Sequence, residues 1–104
     1  MQSQITARHV DLNTDLREHI SKRLDKLQRV YDNIISAHII LGQNNAPSED
    51  KTAEINLDVY QKRLSAEAAA STHEEAINQC TDALWRQLKR YKAKLRSTDK
   101  DAHR

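Results

Sequence analysis

The hydrophobic period of this chain changes at residue 71, and that change constrains the fold more tightly than any other feature. Residues 52–60 alternate, with Ala53, Ile55, Leu57 and Val59 against Thr52, Glu54, Asn56, Asp58 and Tyr60. Residues 63–70 continue the alternation, with Leu64, Ala66, Ala68 and Ala70 against Arg63, Ser65, Glu67 and Ala69. A period of two gives a strand one apolar face. Beyond the change, Ile77, Cys80, Leu84, Leu88, Tyr91 and Leu95 recur at intervals of three and four, a single stripe along an α-helix spanning 71–96. Thr72 and Glu75 form a T-x-x-E capping box at the junction. By propensity alone SAEAAAS favours helix, because Ala is the best helix former. The uninterrupted alternation across the Gln61-Lys62 connection predicts a strand instead.

The earlier half supplies matching pieces. Ser3, Ile5 and Ala7 alternate with Gln2, Gln4, Thr6 and Arg8, a short strand within 1–8. Asn13-Thr14-Asp15 is a helix-capping cluster, and Leu16, Ile20, Leu24 and Leu27 give a helical stripe up to about Val30. SAHIILG at 36–42 is β-branched, too short for a helix, and ends at the chain's one glycine. QNNAPSEDK at 43–51 is a polar loop. The order β-α-β-β-β-α predicts an α+β fold, a four-stranded mixed sheet with two helices packed on one face. Residues 1–96 read as one domain and 97–104 as a short polar tail.

Charge is distributed unevenly over these pieces. Residues 76–96 hold six basic residues and one acid, Asp82, in a chain of net charge +2. Arg86, Lys89 and Arg90 point away from the apolar stripe, with Lys92, Lys94 and Arg96 on its flanks. On the first helix Lys22, Lys26 and Arg29 lie opposite the stripe, sharing that face with Asp15, Glu18 and Asp25. With both helices on one side of the sheet, these cations are expected to form one surface suited to a polyanion. The competing reading is a solvated face that only keeps the protein soluble. The outward face of residues 52–60 carries Glu54 and Asp58 and no stacking aromatic pair, so the sheet is a poor RNA platform.

Other chemistry finds little support. No two of His9, His19, His38, His73 and His103 have the H-x-x-x-H spacing of a helical metal site. Cys80 is the single cysteine and sits on the apolar stripe, which predicts a small buried hydrophobe and neither a disulfide nor a nucleophile. One Gly and one Pro leave no Gly-rich phosphate loop. Glu74 and Glu75 are accounted for by the helix N-terminus. No enzymatic activity, cofactor or metal is expected. No apolar run approaches a membrane span, and MQSQITARHV lacks the plan of a signal peptide, so the expected location is cytoplasmic.

The segments QITARHVDLNTDLREHISKRLDKLQRVYD at 4–32, HIIL at 38–41 and EEAINQCTDALWRQLKRYKAKL at 74–95 resemble the ribosome hibernation promoting factor family, also called the protein Y or ribosome-associated inhibitor family. The resemblance is closest to its short form, without the second domain that long members use to dimerise ribosomes. It implies a cytoplasmic stress or stationary-phase factor, monomeric off the ribosome, that occupies the mRNA and tRNA channel of the small ribosomal subunit and silences translation. On that reading Lys22, Lys26, Arg29, Arg86, Lys89, Arg90, Lys92 and Lys94 contact rRNA phosphates. Two departures stand out. Family members often have a Gly- or Asn-containing β3–β4 turn where this chain has Tyr60-Gln61-Lys62. The aromatic that commonly opens the last helix is replaced within His73-Glu74-Glu75, which is expected to loosen that corner. A free double-stranded RNA-binding domain and a protein-interaction domain are the alternatives.

Overall fold

The computed structural model describes residues 1–45 and 47–102, with 96–102 described by their backbone alone. The elements are β1 (Gln2–Ala7), α1 (Thr14–Val30), β2 (Ser36–Gln43), β3 (Lys51–Val59), β4 (Lys62–Ala70) and α2 (His73–Ala102). The strands form one mixed sheet in chain order, β1 parallel to β2 and the remaining pairs antiparallel. This is the α+β arrangement expected from the sequence.

Local chemistry sets the helix starts. The Asn13 Oδ1 accepts the Leu16 N–H at 2.8 Å, and the Thr72 Oγ1 accepts that of Glu75 at 3.1 Å, so each helix begins with one orphan donor satisfied. Leu16, Ile20, Leu24 and Leu27 of α1 and Ile77, Cys80, Leu84, Leu88 and Tyr91 of α2 are buried against the inward sheet residues Ala37, Ile39, Leu41, Ala53, Ile55, Leu57 and Leu64 in one core. Both helices therefore cover the same face of the sheet. Its other face is open. It carries His38, Asn56 and Ser65 in one cross-strand row and Ile40, Glu54 and Glu67 in the next.

The Ala-rich segment is a strand because burial and pairing outweigh propensity. Ala66, Ala68 and Ala70 place little bulk beneath α2, so the helix approaches the strand backbone. The Cys80 Sγ lies 3.4 Å from the Ala53 carbonyl oxygen and 3.7 Å from that of Ala66. Burial, with smaller contributions from Glu67 and Glu54, pushes the Cys80 thiol up from 9.0 to about 12.

Three details differ from the sequence reading. The hairpin loop is Tyr60-Gln61, one residue earlier than expected, because Val59 pairs with Lys62. Gln61 adopts φ 58, so an ordinary residue occupies a left-handed position that costs about 1–2 kcal/mol. The corner at His73 is fastened, not loosened: the ring is buried, and its Nε2 lies 2.9 Å from the Gly42 carbonyl oxygen. A polar contact here does what an apolar aromatic would do by packing. Finally, α2 runs past 96 to Ala102, since nothing in 97–102 breaks a helix, while residues 103–104 of the expected tail lie outside the described residues.

The Cys80 environment gives a direct test. The thiol should resist iodoacetamide at pH 8 in the folded protein and react after denaturation, as read by mass spectrometry. Because its folded pKa is raised, its contribution to stability is fully present below about pH 9 and falls as pH rises toward about 12. Cys80→Ser should cost about 1–2 kcal/mol in urea unfolding, the hydroxyl recovering part of the loss through the Ala53 carbonyl.

Candidate nucleic-acid interface

The cationic surface is set by how α1 meets α2, and that contact is polar. Arg23 of α1 donates its Nε–H to the Thr81 Oγ1 at 2.8 Å. Its Nη2 reaches the Asn78 carbonyl at 3.2 Å and the Asp82 carboxylate at 2.5 Å. The His19 Nε2 meets the Asn78 Oδ1 at 2.8 Å, one turn toward the helix start. At the other end the Lys92 ammonium donates to the Val30 carbonyl at 3.1 Å, satisfying an acceptor in the last turn of α1. Tyr31 and Tyr91 close that end edge to face, with centroids 5.5 Å apart.

Of the eight residues singled out from the sequence, Lys22, Lys26, Arg29, Arg86, Lys89, Arg90 and Lys94 are exposed. Lys92 is half-buried and holds the end of α1. The structure brings Lys26 and Arg86 together around a shallow depression of about 250 Å³ floored by Trp85 and Asp82. The Lys89 ammonium stands 4.3 Å from the centroid of the Trp85 ring, a cation–π contact that orients it at the same seam. Arg90 and Lys94 lie on the opposite flank of α2. There they line a pocket with Lys62 and Arg63 of the β3–β4 hairpin.

Sequence reasoning missed Arg23, Lys62 and Arg63. Asp82, the lone acid among the cations of 76–96, was a signal that a cation from elsewhere meets it. Nothing in the periodicity marked Lys62 and Arg63, whose neighbours on α2 are distant in sequence. Among the described residues no group of three or more His, Cys, Asp or Glu could hold a metal ion, and no helix is long and apolar enough to cross a membrane.

These features define a small α+β domain with an open sheet on one side and a hydrogen-bonded, cation-bearing pair of helices on the other. The family described as Sigma 54 modulation protein / S30EA ribosomal protein matches residues 3–96, and the chain belongs to it. The chain is 31% identical over 101 residues to the ribosome-associated factor Y of Haemophilus influenzae, covering 97% of this chain and 92% of that protein. It is 29% identical over 96 residues to the ribosome hibernation promoting factor of Escherichia coli K12, covering 92% and 98%. It also aligns with 49% of the length of the longer ribosome hibernation promotion factor of Deinococcus radiodurans, at 27% identity over 88% of this chain. A ribosomal subunit interface protein from Coxiella burnetii superposes with a TM-score of 0.80 at 29% identity, covering 89% of this chain and 99% of that one.

The seam is testable by itself. Arg23→Ala removes three hydrogen bonds and leaves the Thr81 hydroxyl without its donor, so it should cost about 1–3 kcal/mol in urea unfolding. Asp82→Asn removes only a carboxylate whose side chain is 57% exposed and should cost under about 1 kcal/mol. Equal losses would mean that the ion pair, and not the hydrogen bonds to α2, holds the helices.

Proposed function

We propose that this protein is a ribosome hibernation factor that binds the small ribosomal subunit in the mRNA and tRNA channel and inhibits translation under stress or in stationary phase. The observation that carries the reading is the cationic outer surface of α1 and α2, held in register by the Arg23 contacts, in a chain whose relatives are named as hibernation and ribosome-associated factors. Lys22, Lys26, Arg29, Arg86, Lys89, Arg90 and Lys94 meet rRNA phosphates. Lys92 adds its charge to the field while its ammonium stays on α1. The protein acts as a monomer, in the cytoplasm where ribosomes are, without cofactor or catalysis. Inhibition is steric: a folded domain held in the channel by neutralised phosphates excludes mRNA and tRNA.

Neutralising roughly six to ten phosphates makes affinity fall about a thousandfold or more between 50 and 200 mM salt. Sedimentation with purified small subunits across that range should show this slope. Co-migration with naked duplex RNA in place of subunits would indicate a free double-stranded RNA binder. Changing Arg86, Lys89 and Arg90 together to Glu should preserve the circular dichroism spectrum, since all three are exposed, while abolishing subunit binding and inhibition of cell-free translation. Glu67→Lys, on the open sheet face opposite Glu54, is the matched control and should inhibit like the unmodified protein. Full inhibition by the triple variant would remove the helical surface as the binding site.

A further inference from the structure

We propose that the β3–β4 corner is a second RNA contact, a subsite for a single-stranded segment whose backbone phosphate sits among Lys62, Arg63, Arg90 and Lys94 and whose base stacks on Tyr60. It rests on the reading that this protein binds ribosomal RNA and extends that contact from Arg90 and Lys94, around the flank of α2, onto Tyr60, Lys62 and Arg63 of the hairpin, which lie outside the two helices.

Two independent observations meet at this corner. The first is a concave pocket of about 390 Å³ whose rim holds four cations contributed by two elements, Lys62 and Arg63 from β4 and Arg90 and Lys94 from α2. Arg63 is offset by a carboxylate: Asp58 accepts its Nε–H at 2.8 Å, and Ser36 donates to the same carboxylate at 2.9 Å. Those bonds hold the Asp58 carboxyl below its usual range, Arg63 contributing most, and they fix the guanidinium in place. Among the described residues no hydrogen bond or ion pair engages the side chain of Lys62 or Arg90. The pocket thus keeps an excess of positive charge in a concave site, which concentrates anions.

The second observation is Tyr60, which is 65% exposed at the tip of the hairpin. A single exposed aromatic is ordinary. This one is anchored to the pocket, because Tyr91, which lines it, donates its hydroxyl to the Tyr60 carbonyl at 2.6 Å. The two-residue loop, with Gln61 at φ 58, keeps the tip short. An exposed aromatic beside a cationic pocket is the arrangement that binds single-stranded nucleic acid, in which phosphates are held electrostatically and unstacked bases use the ring. A duplex offers no free base face, so the ring selects a single strand.

The test uses Tyr60→Ala, Lys62→Gln and the pair combined, each first checked for native thermal melting. Binding is measured to purified small subunits and to a fluorescent 12-nucleotide oligouridine by anisotropy, between 50 and 200 mM salt. Tyr60→Ala should weaken both by roughly 5- to 150-fold with the salt slope unchanged, because stacking releases no counterions. Lys62→Gln should lower the slope by about 0.7–0.9, the share of one phosphate. If all three variants bind subunits and oligouridine as the unmodified protein does, the corner inference is overturned while the helical reading stands. Binding of oligouridine in a Tyr60-dependent manner, with no binding to subunits, supports the corner and overturns the ribosomal reading. Failure of the unmodified protein to bind either probe overturns both.

Discussion

The shape of the charged surface depends on the Arg23 side chain. Two helices on one face of a small sheet can slide or splay, since apolar stripes resist separation but specify register weakly. Arg23 removes that freedom by spending its planar, directional donors on a hydroxyl, a backbone carbonyl and a carboxylate that all belong to α2. Thr81, buried at 2% exposure, is itself donated into the Ile77 and Asn78 carbonyls, so the acceptor Arg23 meets is immobile. The Lys92 contact at the far end gives the seam a second fixed point. The positions on α1 and α2 from which the cations project are thereby fixed relative to one another, which the proposed contact with regularly spaced phosphates would use.

The sheet side works by the opposite means. Its packing is close because its side chains are small: Ala53, Ala66, Ala68 and Ala70 admit α2 to within sulfur contact of the strand carbonyls. Specificity on the exposed side comes from short cross-strand hydrogen bonds, the Ser65 hydroxyl to the Asn56 Oδ1 at 2.6 Å and the Thr6 hydroxyl paired with the His38 ring at 2.9 Å. Glu54 and Glu67 face each other there, a like-charge pair that weakens pairing slightly and repels RNA. On the proposed function, the cations of the helical side and the carboxylates of the sheet side would orient the domain in a field of phosphates before any contact forms.

Much of this was legible because periodicity reports burial directly. Every residue of the two predicted helical stripes through Tyr91 is buried, and the strand called against its own helix propensity is a strand, since alternation reflects which side chains must meet the core. Where the sequence reading failed, the missing information was a neighbour. His73 looked like a lost aromatic until the Gly42 carbonyl came beside it. Lys92 looked like one more surface cation until the end of α1 came beside it.

By itself, then, the sequence determined the elements, their order, the buried faces and the excess of cations on both helices, because each depends on residues within a turn or two of one another. Tertiary structure alone decided how those cations are divided: Lys26 with Arg86 at the seam, Lys92 withdrawn to hold α1, and Arg90 with Lys94 turned toward Lys62 and Arg63. The physical reason is range. Helix period and strand alternation are local, whereas the distance between charges on separate elements is fixed by packing and by hydrogen bonds that join residues about sixty positions apart, as Arg23 joins Asp82.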